Sequence, residues 1–290
     1  MMAVGVVAAI IAALAYGTAS VLQARGAHEV TEESAGASAA PTLRSTIAAM
    51  LTASFLVGIS LDVLGFAGNL VADRLTPLFL AQTIVSANLV VTAVLATFVL
   101  DARLNRREWT AVVVVVVALV VMGLGAGHEG HRDHDWLHWA LLVGGIVLLL
   151  LAMALIHMLP TGVAVVAGLS GGILFGLMAV AIRILRGIEP FDLVALLTDP
   201  AAYAVVICGI GGFYLFTVAL QTGAVSAASA AIVVGETVVP GALGIALLGD
   251  TTRPGWGAVT VIAFVAAVAG AVTIAMSSAV RASEGVSEGT

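Results

Sequence analysis

Polar residues punctuate this chain: apolar runs of about twenty residues follow one another, divided by short stretches rich in Asp, Glu, Arg, His or Pro. A hydrocarbon core roughly 30 Å thick is crossed by about 20 helical residues. Nine runs are long enough, at Met2 to Ala24, Thr46 to Leu70, Pro77 to Val99, Trp109 to Ala126, Trp136 to Ile156, Thr161 to Leu185, Ala201 to Leu220, Val225 to Leu248 and Trp256 to Ser277. The β-branched stretch Val112 to Val117 would suit a strand in water. In lipid, however, a single span must satisfy its own backbone, so every run predicts a helix. The expected fold class is an all-α polytopic membrane protein. Its four tryptophans, Trp109, Trp136, Trp139 and Trp256, all stand at starts of spans, where an amphipathic ring sits at headgroup level.

Composition agrees with that pattern: 61% of the 290 residues are hydrophobic and 10% charged, which excludes an ordinary soluble domain. No basic segment precedes the first run, so it reads as a retained helix rather than a signal peptide. The one cysteine, Cys208, lies in an apolar run and excludes a disulfide framework. The net charge of −6 is spread over loops and tail and points to no nucleic-acid partner. Phosphate-cradling glycine loops, catalytic carboxylate pairs and nucleophile motifs are missing, so neither an enzyme nor a cofactor is expected.

The halves of the chain echo each other. Ala19-Ser20-Val21-Leu22-Gln23-Ala24-Arg25-Gly26 ends the first span much as Ala181-Ile182-Arg183-Ile184-Leu185-Arg186-Gly187 ends the sixth. The stretches from Pro77 to Trp109 and from Val225 to Trp256 share a layout, and a constant shift lays Asn88 on Glu236. The expected organisation is a four-helix repeat over 1–127, a His-rich loop and connecting helix over 128–160, a second repeat over 161–280 and a flexible tail over 281–290. An odd connector inverts the second repeat, and inverted repeats are frequent in secondary transporters, with the substrate site between them. Arg103, Arg106 and Arg107 crowd one short loop. That places the loop and the C-terminus in the cytoplasm and the N-terminus outside a cell inner (plasma) membrane.

Two carboxylates stand inside the predicted spans, Asp62 and Glu236. Each costs about 2.5–3.5 kcal/mol at mid-bilayer and so is expected to face a polar interior. Glu236 lies four residues before Pro240, whose missing amide leaves the residue-236 carbonyl without its helical donor, and Gly235 loosens the same turn. A helix break at Gly235 and Pro240 is therefore expected, with Glu236 as the substrate or coupling group. Asn88, Asn69, Gln82, Ser86, Tyr16 and Tyr214 are further candidates, as are Thr18 and Thr217; for these neutral groups, bonding between helices is the competing reading. Gly168, Gly172 and Gly176 recur at four-residue spacing and predict close helix contact. The loop His128-Glu129-Gly130-His131-Arg132-Asp133-His134-Asp135 offers His128, His131 and His134 as metal ligands, or is simply a solvated polar loop.

Taken together, Gly65-Phe66-Ala67-Gly68-Asn69, Pro77, the run Val94 to Leu104 and a weaker second copy at Leu247-Leu248-Gly249-Asp250 resemble the drug/metabolite transporter superfamily. The likeness is to its EamA-like permeases and the nine-helix, magnesium-transporter-type branch related to the NIPA proteins. Ala102 stands where the family usually has Glu, and Phe66 where the magnesium branch has an acid. The expected function is a secondary transporter that moves a small metabolite by alternating access between inverted halves, with Glu236, an acid buried in a span, available for proton coupling. A magnesium or other divalent-cation transporter is the alternative, and a non-transporting membrane subunit or lipid-handling partner is a second. The expected partners are a small-molecule or ion substrate and the lipid bilayer; a homodimer is left open.

Overall fold

The computed structural model describes residues 2–33, 52–99, 104–130, 132–159, 162–188, 191–221 and 225–276. These residues form α1 Met2–Glu33, α2 Ala53–Leu75, α3 Leu78–Ser86, α4 Asn88–Val99, α5 Arg106–Gly125, α6 Asp135–Met158, α7 Val163–Ile184, α8 Leu193–Thr198, α9 Pro200–Gln221, α10 Val225–Leu243 and α11 Gly257–Ala275. Among them, nine segments are long and apolar enough to cross a membrane; α3 with α4 makes the third, and α10 with the π-helical turn Gly244–Leu248 makes the eighth. The chain is an all-α, multi-pass membrane protein. The tail over 281–290 and the loop residues Asp101, Ala102 and Arg103 lie outside the described residues.

The second span departs most from its expected bounds, running from Ala53 to Leu75 instead of Thr46 to Leu70. Thr52 caps its start by accepting from Phe55 N, and Pro77 limits its end. Asp73 and Arg74, which read as loop on hydropathy alone, are helical because other elements satisfy them. Only Thr76 and Pro77 then join α2 to α3. The start of α5 is set by a capping box, in which Asn105 and Glu108 each bond the other's backbone N–H.

Packing in the two halves matches. In the first, α1 lies on α2 and on α3 and α4; in the second, α7 lies on α9 and α10; the fourth span of each half, α5 and α11, pack together. The connecting helix α6 rests on α7 and α9, while Trp136, Trp139, Val143, Leu150 and Leu151 face outward. Between the halves, α10 packs along α3 rather than α4, and α2 touches α7. One unexpected element is α8, a short surface helix capped by Asp192 with Leu193, Val194 and Leu197 exposed.

The glycine spacing in α7 does what close contact requires. A Cβ added at Gly235 of α10 would lie 2.6 Å from Ile173 N and 2.7 Å from Gly172 C, so α7 and α10 meet backbone to backbone. That crossing sets the rotation of α10, and with it the direction of Glu236.

Candidate functional site

Glu236 follows Gly235 and reaches across the interface between the halves. Ser86, the last residue of α3, donates to Glu236 Oε1 at 3.2 Å and lies 2.9 Å from Thr237 Oγ1. Ser86 and Thr237 are buried, and Glu236 is half-buried. The third span is interrupted immediately beyond this contact: Ala87 N–H turns back to Ile84 O, and Asn88 opens α4. Asn88 itself is half-buried with its carbonyl facing Gly17 of α1; Ser86 is the residue that meets Glu236.

The interruption falls elsewhere than the sequence implies. A break is expected at Gly235 and Pro240, yet α10 runs through both, and α-geometry gives way only at the π-turn from Gly244. The Pro240 ring fits because it lies against Gly176, where an added Cβ would come within 2.7 Å of it. Tyr16 of α1 packs its ring over Gly65 of α2 and lies within electrostatic reach of Asp62, Asp73 and Glu236. Asp62 is half-buried on α2. Tyr214 does not join this group: it is 48% exposed, on the outward stripe of α9 with Ile210 and Phe213.

One turn along α3 from Ser86, Gln82 donates to Asp73 Oδ1 at 2.6 Å and to Asn69 Oδ1 at 3.3 Å. Asp73 is a further carboxylate within a span, fully buried, and its omission follows from the misplaced end of α2. Beyond it the halves clasp each other. Arg74 donates to the carbonyls of Ile182 and Leu185 at the end of α7, and Arg183 donates to the carbonyls of Arg74 and Thr76 at the end of α2. Each guanidinium thus satisfies helix-terminal carbonyls of the opposite half. Asp250 completes the closure, accepting from Leu78 N at 2.7 Å, Gly130 N at 2.8 Å and Arg183 Nη2 at 3.3 Å. All of these groups lie on the face where α1 begins and where α2, α5 and α7 end.

The His-rich loop packs onto that same face. Ala126 pairs with Thr252, His128 O accepts from Thr251 N, and His128 N donates to Thr251 Oγ1. His134 stacks on Trp136, while His131 lies outside the described residues. Among the described residues no group of three or more His, Cys, Asp or Glu comes together to hold a metal. His138, fully buried, is instead bonded on both sides, with Nδ1 2.5 Å from Asp199 and Nε2 2.7 Å from Asp133. Burial alone would push the Asp133 carboxyl up, but hydrogen bonds from Arg186 and His138 hold it below its ordinary value. Hydrogen bonds to Asp133 and Asp135 raise Arg186 in turn.

An open groove of about 420 Å³ runs between α5 and α11, lined by Val113, Val117, Val259 and Ile262 among other apolar side chains. It offers nothing polar to orient a solute. The polar centre at Tyr16, Ser86 and Glu236 and the clasp beside it hold the chemistry of the interior. Asp73, Arg74 and Arg183 are the residues that sequence reasoning missed there; for Asp73 and Arg74, charge just before a two-residue turn between long spans was the signal. Comparison of the chain with family models, curated proteins and solved structures returned no match.

Proposed function

We propose that this protein is a secondary transporter that moves a small metabolite by alternating access between its two halves, with Glu236 at the binding or coupling centre. The observation that supports this most is the Ser86–Glu236 contact between the halves, at the point where the third span is interrupted. Interrupted spans near mid-membrane leave backbone groups free for solute, and a carboxylate there supplies charge or a proton site. The clasp fits the same reading, since Arg74, Arg183 and Asp250 close the face on which α1 begins. Membership of the drug/metabolite transporter superfamily is part of this proposal, as is a cell inner-membrane setting with the Arg106 and Arg107 loop in the cytoplasm.

The test is uptake into proteoliposomes under an inward proton gradient, with amino acids, sugars, nucleobases and magnesium supplied in turn. One solute should accumulate, and Glu236→Gln should abolish accumulation while the protein remains monodisperse in detergent. Wild-type accumulation by E236Q would remove Glu236 from the mechanism. Accumulation of magnesium alone would replace the metabolite with a divalent cation. No flux of any solute, together with a partner protein that stays bound through purification, would overturn transport in favour of a membrane subunit.

A further inference from the structure

The clasp contains unsatisfied polar atoms that belong together. Asp73 Oδ2, Arg183 Nε and Thr76 Oγ1 are all buried and form no hydrogen bond to a described group. Asp73 and Arg183 lie within electrostatic reach of each other, yet the guanidinium is held by the carbonyls of Arg74 and Thr76 and by Asp250. A buried, ionised carboxylate with one bare oxygen would draw that guanidinium; a protonated one, held at Oδ1 by Gln82, carries no charge and exerts no such pull. Asp250 competes for Arg183 and also ties down Leu78 and Gly130.

We propose that Asp73 is a proton-binding site separate from Glu236, and that losing its proton draws Arg183 away from Asp250 and opens the face on which α1 begins. The proton passes from the carboxyl to water admitted as the clasp parts, and the carboxylate left behind takes Arg183 as its counter-ion. Binding the proton reverses both steps. Closed and protonated, open and deprotonated, are therefore the linked pairs, and raising the pH favours opening.

Every charged group around Asp73 enters this balance. Arg183 faces it from α7, Tyr16 comes from α1, Arg74 is its neighbour on α2, and Gln82 of α3 and Asn69 are neutral partners. Asp250 and Glu129 act on Arg183 from the loops. His138, with Asp133 and Asp199, sits on the same face but is bonded into α6 and α9.

Hydrogen–deuterium exchange of the purified protein, corrected for intrinsic base catalysis, reads the clasp through the Leu78 and Gly130 amides that Asp250 accepts. In wild type their protection should fall at least about tenfold between about pH 5.5 and 8.5. Asp73→Asn, a permanently neutral mimic, should stay protected throughout. Arg183→Met removes the responding cation and should leave the amides unprotected at every pH. A wild-type pH dependence in D73N would overturn the proposal; should D73N not fold, the same dependence in R183M would do so. No flux enters this readout, so the proposal and the role of Glu236 in transport stand or fall separately.

Discussion

Replacing Asp250 by Ala should be the most damaging single change on the clasped face. The side chain is buried and accepts three hydrogen bonds, from Leu78 N, Gly130 N and Arg183 Nη2. A buried donor left without its acceptor costs about 1–3 kcal/mol, and removing one partner of a buried ion pair costs about 3–5 kcal/mol. These losses share one site and overlap, so D250A should destabilise the protein by about 4 kcal/mol in total. Pro77 provides no side-chain cap for α3, so nothing nearby replaces Asp250 at Leu78 N. Asp250→Asn keeps one acceptor oxygen and loses the charge, and should fall about midway. Equilibrium denaturation in micelles, followed by tryptophan fluorescence, measures the change, and a double-mutant cycle with Arg183→Met isolates the pair. A D250A protein within about 0.5 kcal/mol of wild type would refute the reasoning, because surface substitutions alone fall in that range.

Two further outcomes test the helix contact and the loop. Gly235→Ala forces a Cβ against the Gly172–Ile173 backbone and should cost about 1–3 kcal/mol through overpacking; unchanged thermal stability would show that α7 and α10 can separate freely. Asp133 has a folded-state pKa below its ordinary value, so its contribution is present at neutral pH and lost as pH falls below about 4. The stability difference between wild type and Asp133→Asn should therefore shrink towards zero on acidification, and a difference constant down to about pH 3 would contradict the Arg186 and His138 bonds as its source.

Much of the molecule can be read from apolar run length, because a lipid-crossing helix must be both long and nearly free of charge. Tryptophan positions mark the span starts because an amphipathic ring settles at headgroup level, and the buried Gly168, Gly172 and Gly176 lie on one helix face. Where reading fails, a partner far along the chain decides. Asp73 and Arg74 score as loop residues until Gln82 and the end of α7 satisfy them. Pro240 signals a break by its own chemistry, but Gly176, far away in sequence, accommodates its ring, while the real interruption at Ala87 carries no Gly or Pro. Glu236 is legible as an acid in an apolar run, whereas its partner Ser86 depends on how α3 and α10 cross. The cluster of histidines draws attention as a ligand set, yet the described loop is spent on closing one face of the fold.

The two-residue turn at Thr76 and Pro77 also bears on how the chain is made. Asp73 and Gln82 flank that turn and bond to each other, so both partners leave the ribosome before any of α7 exists. A lone Asp costs about 2.5–3.5 kcal/mol to insert at mid-bilayer and less near the end of a span, where Asp73 stands. The hairpin of α2 and α3 contains its own means of lowering that cost, and can settle into the membrane as a pair while Arg183 is still to be synthesised.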